Sequence, residues 1–529
     1  MSFSRLPKPN RINFNDLISN IRNGIIVIPR FQRDFVWKLE YTAKLLDSIL
    51  KGYPIGTFIL WITRERMASV KELGGKLFPE PHKNDNVQYV LDGQQRIASL
   101  FVAHEGYKHK REKEELDYRK IYVNLDDVND DEDSIISTIK KDNYISIYDL
   151  LNKNLLDFED QFDRKLREKI QKYKNIFENY EFSTIELRDF SLESAVEIFT
   201  RINTTGTVLT LFEIMVAKTY DEDKKFDMQK EYEKFKKDLE RAHYETIRPR
   251  TILNLLALII QSECTRKAIL NLDKDEIIDK WDEVLKSIQC AVDFFKTHLN
   301  IPVSEILAYD SLIVPISYFY YKNKFNDPNI SQKKYLQQYF WGASLSYRYT
   351  SATNTKLKKD AENVDSIIKG KRPEYDFKIN FNKEDIKNMN FSTGNSFCKA
   401  ILCLYAQQDP LSFEFGSKTI LDNSWLRRSN SKNYHHFFPR HYLKLKGIAN
   451  RNSIVNITFV NKRLNISLKD KAPSKYMGKF RSANPKFNET IRSHLIDDPI
   501  SFGIWGDDYD KFLEKRTAKI ISELNKRIS

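Results

Sequence analysis

The amino-acid sequence predicts a multidomain α+β protein that is rich in helix. Its 529 residues are enough for several domains, each with its own core. Short apolar runs mix with amphipathic patterns near the N-terminus, helical periodicity dominates the middle, and short strand patterns return near the C-terminus. We therefore predict an α+β domain over residues 1–220, a helical domain or connector over 221–410 and a C-terminal domain over 411–529.

The N-terminal part alternates predicted helices and strands. Residues 39–56 carry apolar side chains at helical spacing and end near Gly52, which predicts an amphipathic helix. The apolar runs 57–62 and 87–92 predict buried strands. The second strand continues through Gly93 into a predicted helix over 94–104.

From about residue 145 onward the pattern is helical, and two helices are predicted over 194–202 and 209–220 around a polar turn. The polar, Lys-rich and Asn-rich stretch 351–395 predicts a linker or irregular segment. After about residue 415 short strands return, and the chain is predicted to end in a helix over 510–528.

Composition narrows the class of protein. The net charge of +13 permits binding to a polyanion, although charges of both signs are interspersed. The apolar runs are too short to span a bilayer, and the first residues lack the apolar core of a signal peptide, so we expect a soluble cytoplasmic protein that does not bind membranes. The four cysteines form no CxxC pair, which predicts buried small side chains and argues against a cysteine zinc site: Cys264, Cys290, Cys398 and Cys403.

A histidine cluster stands out in the C-terminal part. His435, His436 and His441 fall within seven residues, whereas the whole chain contains nine histidines. The adjacent pair is poorly explained by core packing. Phe437, Phe438 and a proline follow it, and residues 455–460 then alternate like a strand that leads through a turn into a helix.

Phosphodiester hydrolysis needs such groups. It requires a base that deprotonates water and a cation beside the leaving group, and a neutral imidazole suits the first task near pH 7. Because neighbouring residues of a strand point to opposite faces, the two histidines are expected to take different roles. A second segment that carries Asn and folds back over the first would separate these roles.

This arrangement resembles the ββα-metal motif of HNH nucleases, in which Asp or His, then His, two hydrophobic residues and Pro precede two Asn nine residues apart. The resemblance implies His436 as the general base, His435 and Asn465 as metal ligands, and Asn456 as the residue that orients the His-bearing segment. Lys469 or Arg463 could contact phosphate. A His in place of the common Asp leaves the metal open, with Mg²⁺ expected first and Mn²⁺ or Ni²⁺ as alternatives.

Two N-terminal segments are polar where a core is expected. Segment 28–37 places four polar side chains among aromatic residues: Arg30, Gln32, Arg33 and Asp34. Segment 90–96 places a polar run at a strand–helix junction: Asp92, Gly93, Gln94, Gln95 and Arg96. A glycine turn at a helix N-terminus offers free N–H groups to a phosphate, and Arg33 and Arg96 could add bidentate contacts. Asp92 could bind a metal or position water. The alternative is a set of buried structural ion pairs.

The same segments resemble the N-terminal, ParB-like domain of the GmrSD family of modification-dependent (type IV) restriction proteins. A third segment, FTRINTTGTVLT at 199–210, matches a further motif of that family, with these positions: Phe199, Arg201, Asn203, Gly206 and Leu209. The family often carries an HNH domain at its C-terminus, so the two resemblances agree.

The resemblance implies that the N-terminal domain binds and hydrolyses GTP or ATP and that this controls DNA cleavage by the HNH domain in defence against phage with modified DNA. Asp92 and Arg96 are then expected to act in nucleotide hydrolysis. The residues expected to bind the nucleotide are Gln32, Arg33, Gly93, Gln94, Gln95, Arg201 and Asn203, with Thr204 and Thr205 beside them. No Walker A loop is present in the sequence. A homo-oligomer is compatible with this scheme. The alternatives are a non-catalytic DNA-binding or nucleotide-binding protein with a decayed HNH domain, and an HNH toxin.

Overall fold

The structure is a computed structural model, and it describes residues 6–29, 37–67, 69, 72–73, 76–77, 85–111, 114–126, 134–202, 210–427, 434–468 and 470–529. The chain divides into two compact units, Met1–Met228 and Gln229–Ser529. In this division the predicted helical segment and the predicted C-terminal domain fall into the same unit. The N-terminal unit ends eight residues after the predicted boundary at 220.

The N-terminal unit contains short strands and helices in alternation. Its strands are β1 (Lys8–Asn13), β2 (Ile26–Val27), β3 (Phe58–Thr63), β4 (Glu72–Leu73), β5 (Lys76–Leu77), β6 (Val87–Asp92), β7 (Lys108–Arg111), β8 (Glu114–Asp117), β9 (Tyr122–Asn124), β10 (Ile136–Ser137), β11 (Tyr144–Ser146) and β12 (Glu181–Arg188). Its helices are α1 (Phe14–Arg22), α2 (Leu39–Leu50), α3 (Gln94–Glu105), α4 (Ile147–Asn152), α5 (Arg164–Asn179), α6 (Leu192–Ile202) and α7 (Leu211–Thr219). The helices and strands predicted before residue 105 are confirmed, with small shifts at their ends.

The main sheet of this unit is mixed, with the order β1-β12-β3-β6-β2. Strand β12 pairs antiparallel with β1 and parallel with β3, so it lies inside the sheet. The expectation of only helical structure after about residue 145 is therefore wrong at this strand. Phe182 and Thr184 of β12 are buried, and the residue before each of them is exposed. This period of two is typical of a strand with one covered face.

Helices α1, α2, α3 and α5 share one hydrophobic core with the inner strands β3 and β6 of this sheet. Phe14 of α1, Leu46 of α2, Phe101 of α3 and Phe177 of α5 are buried together in one hydrophobic cluster. The ring centroids of Phe14 and Phe177 are 5.7 Å apart in an edge-to-face arrangement. This packing holds α3, and with it the junction at Gly93, against the sheet.

The second unit is mostly helical. Its helices are α8 (Met228–Arg241), α9 (Pro249–Gln261), α10 (Arg266–Leu270), α11 (Lys274–Thr297), α12 (Ile313–Lys322), α13 (Ile330–Leu345), α14 (Thr353–Ile368), α15 (Lys383–Asn388), α16 (Ser396–Gln407), α17 (Asn423–Leu426), α18 (Arg440–Leu445), α19 (Lys462–Leu468), α20 (Pro473–Ala483), α21 (Phe487–Arg492) and α22 (Tyr509–Ile528). Helices α9, α11, α12 and α14 pack on one another. The two strands β13 (Tyr434–His436) and β14 (Ile457–Phe459) pair antiparallel, and β14 packs on α16.

The expectation of a linker over 351–395 is wrong for much of that segment, because α14 and α15 lie within it. Leu357, Ala361 and Val364 of α14 are buried and lie four and three residues apart, so they form one helical stripe. The exposed residues of α14 include Lys358, Lys359 and Glu362, so the polar composition of the segment does not by itself indicate a helix.

No helix among the described residues is long and apolar enough to cross a membrane. Cys264, Cys398 and Cys403 are buried and Cys290 is partly buried, and all four are free thiols. This agrees with the expectation of small buried side chains.

Candidate functional site

The C-terminal site is built on the short pair of strands β13 and β14. His435 lies opposite Thr458 and His436 lies opposite Ile457 in this pair. The predicted strand over 455–460 begins later, at Ile457, because residues Ile454–Asn456 form a short 3-10 helix. This turn brings Asn456 back toward the residues that follow the histidines.

The two residues after the histidines anchor the strand in the core. Phe437 and Phe438 are both fully buried. The ring of Phe437 stacks on Phe512 of α22 with a centroid distance of 4.9 Å, and Phe438 packs on the same ring at 5.1 Å. Burial of two aromatic side chains is a large apolar contribution that fixes the exit of the strand.

Asn456 and Tyr476 hold the backbone of this anchor. The Asn456 side chain is buried; its Oδ1 accepts from the Phe438 N–H at 2.8 Å, and its Nδ2 donates to the Phe438 carbonyl at 2.9 Å. The hydroxyl of Tyr476 donates to the carbonyl of Phe437. The peptide groups directly after His436 are thus fixed by side chains from two other segments.

A buried arginine stabilises the partner strand from behind. Arg516 of α22 is fully buried, and its guanidinium donates to the carbonyls of Val455, Ile457 at 2.8 Å and His494 at 3.1 Å. Burial lowers the pKa of Arg516 from its ordinary value. The Tyr405 ring lies 4.6 Å from the guanidinium carbon and adds a cation–π contact. Arg516 therefore fixes the two carbonyls on either side of Asn456.

His435 pairs with Asn465 of α19. His435 Nδ1 and Asn465 Oδ1 are 3.0 Å apart, and Asn465 Nδ2 donates to the Tyr434 carbonyl at 3.4 Å. The other ring nitrogen of His435, Nε2, is buried and has no hydrogen-bond partner among the described residues. Burial lowers the pKa of His435 to about 4, so the ring is neutral at pH 7.

His436 faces a different partner. Its Nε2 lies 2.9 Å from Oδ1 of Asn452, in the turn that precedes β14. Burial lowers the pKa of His436 to about 4; the bond to Asn452 opposes this shift and the charge of Arg440 adds to it. The imidazole is therefore neutral at pH 7 and can accept a proton.

His435 could bind a divalent ion through one ring nitrogen. Asn465 Nδ2 donates to the Tyr434 carbonyl, so Asn465 Oδ1 accepts from His435 Nδ1–H, and the lone pair of the neutral ring is on Nε2. Within the described residues, no group of three or more His, Cys, Asp or Glu could hold a metal ion. A metal at His435 would therefore take few protein ligands and complete its shell with water and substrate oxygens, as Mg²⁺ commonly does.

Cations dominate the surface around this site. In the sequence from 434 to 496 the acidic residues are Asp470 and Glu489 alone. Among the described residues, no carboxylate forms an ion pair with the exposed cations of this stretch. These cations are Arg440, Lys444, Lys446, Arg463, Lys471, Lys475, Lys479, Arg481, Lys486 and Arg492. Most of the net positive charge of the chain therefore lies in the segment that carries the site.

The N-terminal junction is ordered around Gly93. Its φ is +94°, and a Cβ added there would lie 2.4 Å from Cδ1 of Phe58. Only glycine fits this position without strain. Gln94 and Gln95 then begin α3 and are half-buried, and both have further contacts within the protein.

Arg96 braces this junction against the start of β3. Its Nη1 donates to the Ile55 carbonyl at 2.7 Å, and its Nη2 donates to the Thr57 carbonyl and to Asp92 Oδ2, both at 3.1 Å. The Arg96 guanidinium thus binds two backbone carbonyls and a carboxylate of its own unit. A structural ion pair of this kind is the alternative that the sequence left open. Asp92 keeps about a third of its side chain exposed.

The other predicted nucleotide residues are only partly described. Arg201 is exposed at the end of α6 and pairs with Glu197 on the same helix. The remaining predictions lie outside the described residues, and they concern Arg30, Gln32, Arg33, Asp34, Asn203, Thr204, Thr205, Gly206, Leu209 and Lys469.

Sequence reasoning missed three residues that build the C-terminal site: Asn452, Tyr476 and Arg516. Asn452 precedes Asn456 by four residues, and a polar residue so close to a predicted orienting Asn was a usable signal. Tyr476 and Arg516 come from distant helices, and their contacts depend on tertiary packing that no local pattern reveals.

Comparison with known proteins extends over both units. The chain is 24% identical to an uncharacterized protein of Methanocaldococcus jannaschii over an alignment of 602 residues, which covers 98% of this chain and 99% of that protein. Residues 14–220 match the family model of the GmrSD restriction endonuclease, N-terminal domain. That range lies within the unit Met1–Met228. The N-terminal unit of this chain is thus similar to the N-terminal domain of GmrSD restriction endonucleases.

Proposed function

We propose that the protein is a metal-dependent DNA endonuclease of the HNH type that acts in defence against phage. The observation that carries this proposal is the pair of adjacent histidines on one short strand: His435 has a buried ring nitrogen without a hydrogen-bond partner among the described residues, and His436 is neutral at pH 7. The adjacent residues His435 and His436 thus have different partners, which supports a metal-ligand role for the first and the role of base for the second. The match to a restriction endonuclease in the other unit supports the same class of activity.

The residues of the site support a division of labour in phosphodiester hydrolysis. His436 takes a proton from water, the water oxygen attacks phosphorus, and the bond to the leaving oxygen breaks. His435 and Asn465 would hold a divalent ion, which supplies positive charge for the leaving oxygen. Asn456 keeps the segment after His436 in place through its two bonds to Phe438.

The cationic surface supports DNA as the substrate. Exposed cations such as Arg440 and Arg463 lie on the helices directly after β13 and β14. They can neutralise phosphates on both sides of the cleaved bond, independent of base sequence. Binding through them predicts an affinity that falls steeply as salt concentration rises.

For the N-terminal unit we propose control of cleavage by GTP or ATP and a response to modified DNA. The support is the similarity to the GmrSD N-terminal domain and the glycine-led start of α3, whose N–H groups and dipole favour a phosphate. Since Arg96 is engaged with the chain, its contribution is to shape this junction. The nucleotide contacts then come from the start of α3, including Gln94 and Gln95.

Cleavage of supercoiled plasmid DNA by the full chain tests the proposal. It is measured with Mg²⁺, Mn²⁺ and Ni²⁺, with and without GTP or ATP, on plain and modified DNA. We expect nicked or linear product from the wild type and loss of it in His436→Ala. His441→Ala is the matched control, because His441 is exposed on α18 and has no assigned role.

Each alternative has its own outcome. Salt-sensitive DNA binding without cleavage under every condition would overturn the endonuclease proposal in favour of a non-catalytic binding protein. Equal cleavage by wild type and His436→Ala would show that the base is misassigned. Toxicity of the overproduced wild type, relieved by His436→Ala in cells without phage, would favour a toxin.

A further inference from the structure

We propose that Asn452 is a positioning residue that keeps the proton of His436 on Nε2, so that Nδ1 is the atom that acts as the base. This inference deepens the proposed function, and its catalytic consequence rests on that function. Asn452 is absent from the motif that led to the site. The hydrogen bonds of its side-chain amide decide which nitrogen of His436 is protonated.

The orientation of the Asn452 amide is fixed from its far side. Asn452 Nδ2 donates to the carbonyl of Phe391 at 3.1 Å, and Oδ1 faces His436 Nε2 at 2.9 Å. Exchanging the two amide atoms would place an oxygen against the Phe391 carbonyl oxygen and lose that bond. Oδ1 is therefore the atom that meets the histidine.

An amide oxygen only accepts hydrogen bonds, so His436 Nε2 must donate to it. A neutral imidazole has one N–H, and Nδ1 therefore carries the lone pair. Nδ1 has no hydrogen-bond partner among the described residues, and the side chain is partly exposed. The charged or titratable groups that act on the ring are Arg440 and His435, and neither makes a hydrogen bond to it.

The support of Asn452 is itself rigid. The Phe391 N–H donates to the Asn452 carbonyl at 2.7 Å, so the two residues exchange hydrogen bonds in both directions. On the next residue, the Ser453 hydroxyl donates to the Lys387 carbonyl at 2.8 Å, and the Ile454 N–H donates to the Met389 carbonyl at 2.9 Å. The segment from α15 to Phe391 thus holds Asn452 through hydrogen bonds that do not involve the histidine strand.

Nitrogen NMR of the full chain with ¹⁵N-labelled histidine rings tests this assignment at neutral pH without metal or DNA. The resonances of His436 are identified by their loss in His436→Gln. We expect the wild type to show a protonated Nε2 and an unprotonated Nδ1. In Asn452→Ala the two resonances should move toward each other as the tautomers mix. Asn450→Ala is the matched control, because Asn450 lies in the same turn, donates to the Lys387 carbonyl and makes no hydrogen bond to His436 among the described residues.

One further variant, Asn452→Asp, separates positioning from folding. Asn452→Asp keeps an acceptor for Nε2 and should keep the wild-type tautomer, whereas Asn452→Ala should lower kcat of DNA cleavage about 10-fold to 100-fold with little change in KM. A proton on Nδ1 in the wild type, or unchanged resonances in Asn452→Ala, would overturn the inference. If the tautomer is as expected but the wild type never cleaves DNA, the positioning contact stands and the nuclease proposal fails.

Discussion

Removal of the Asn456 side chain should disable cleavage by releasing the segment that carries His436. In Asn456→Ala the N–H and carbonyl of Phe438 lose bonds of 2.8 and 2.9 Å inside a fully buried site. Each bond contributes about 1 kcal/mol, and each buried peptide group left without a partner costs about 1–3 kcal/mol. We therefore expect the free energy of unfolding to fall by about 2–5 kcal/mol, measured by urea denaturation of the full chain.

Asn484 provides a matched control for this prediction. It is also buried; its Nδ2 donates to the Phe413 carbonyl at 3.0 Å, and its Oδ1 accepts from the Lys486 N–H at 2.9 Å, but it makes no hydrogen bond to the histidine segment among the described residues. Asn484→Ala should lose similar stability and retain cleavage at a temperature where both variants are folded. If the two variants cleave DNA equally well under those conditions, the bonds of Asn456 do not position His436 and the reasoning is refuted.

Three further substitutions test other parts of the structure. Arg516→Met should lower the free energy of unfolding by about 2–4 kcal/mol, because the bonded carbonyls lose a charged donor; an unchanged urea transition would contradict this. Gly93→Ala should destabilise the N-terminal unit by about 1–3 kcal/mol, since the φ of Gly93 is +94° and the Phe58 ring occupies the position of the added Cβ. Thermal unfolding measures this loss, and a melting curve like that of the wild type would refute the strain. Burial raises the pKa of Glu105, but hydrogen bonds from His104 and Arg22 outweigh it and hold the pKa well below its ordinary value. This carboxylate therefore stabilises the fold above about pH 4.5, and the stability is lost as pH falls further. Glu105→Gln should remove that part of the acid dependence in urea titrations, and an identical pH profile would speak against the ion-pair cluster.

The sequence predicted those parts of the site that depend on local order along the chain. The histidine pair, the two phenylalanines after it and the two Asn are identified by their resemblance to the ββα-metal motif, and the structure brings them together around β13 and β14. Spacing fixes which residues can meet when a turn folds a segment back on itself. It does not show which atoms meet.

The supporting residues were beyond sequence reasoning for a physical reason. Arg516 lies 59 residues after Ile457, and its role arises from packing of α22 behind β14. In the N-terminal unit, sequence alone suggested Arg96 for phosphate, whereas the structure shows its bonds to the backbone near Gly56. The distinction rests on where a flexible guanidinium points, which is decided by tertiary contacts.

The central claim is that His435 and Asn465 form a metal site beside the base His436. Electron spin-echo envelope modulation of Mn²⁺ bound to the full chain measures this directly, because it detects nitrogen ligated to the ion. We predict histidine nitrogen coupling in the wild type that is lost in His435→Ala and retained in His441→Ala. Coupling that persists in His435→Ala, or its absence from Mn²⁺ bound to the wild type, would contradict the claim.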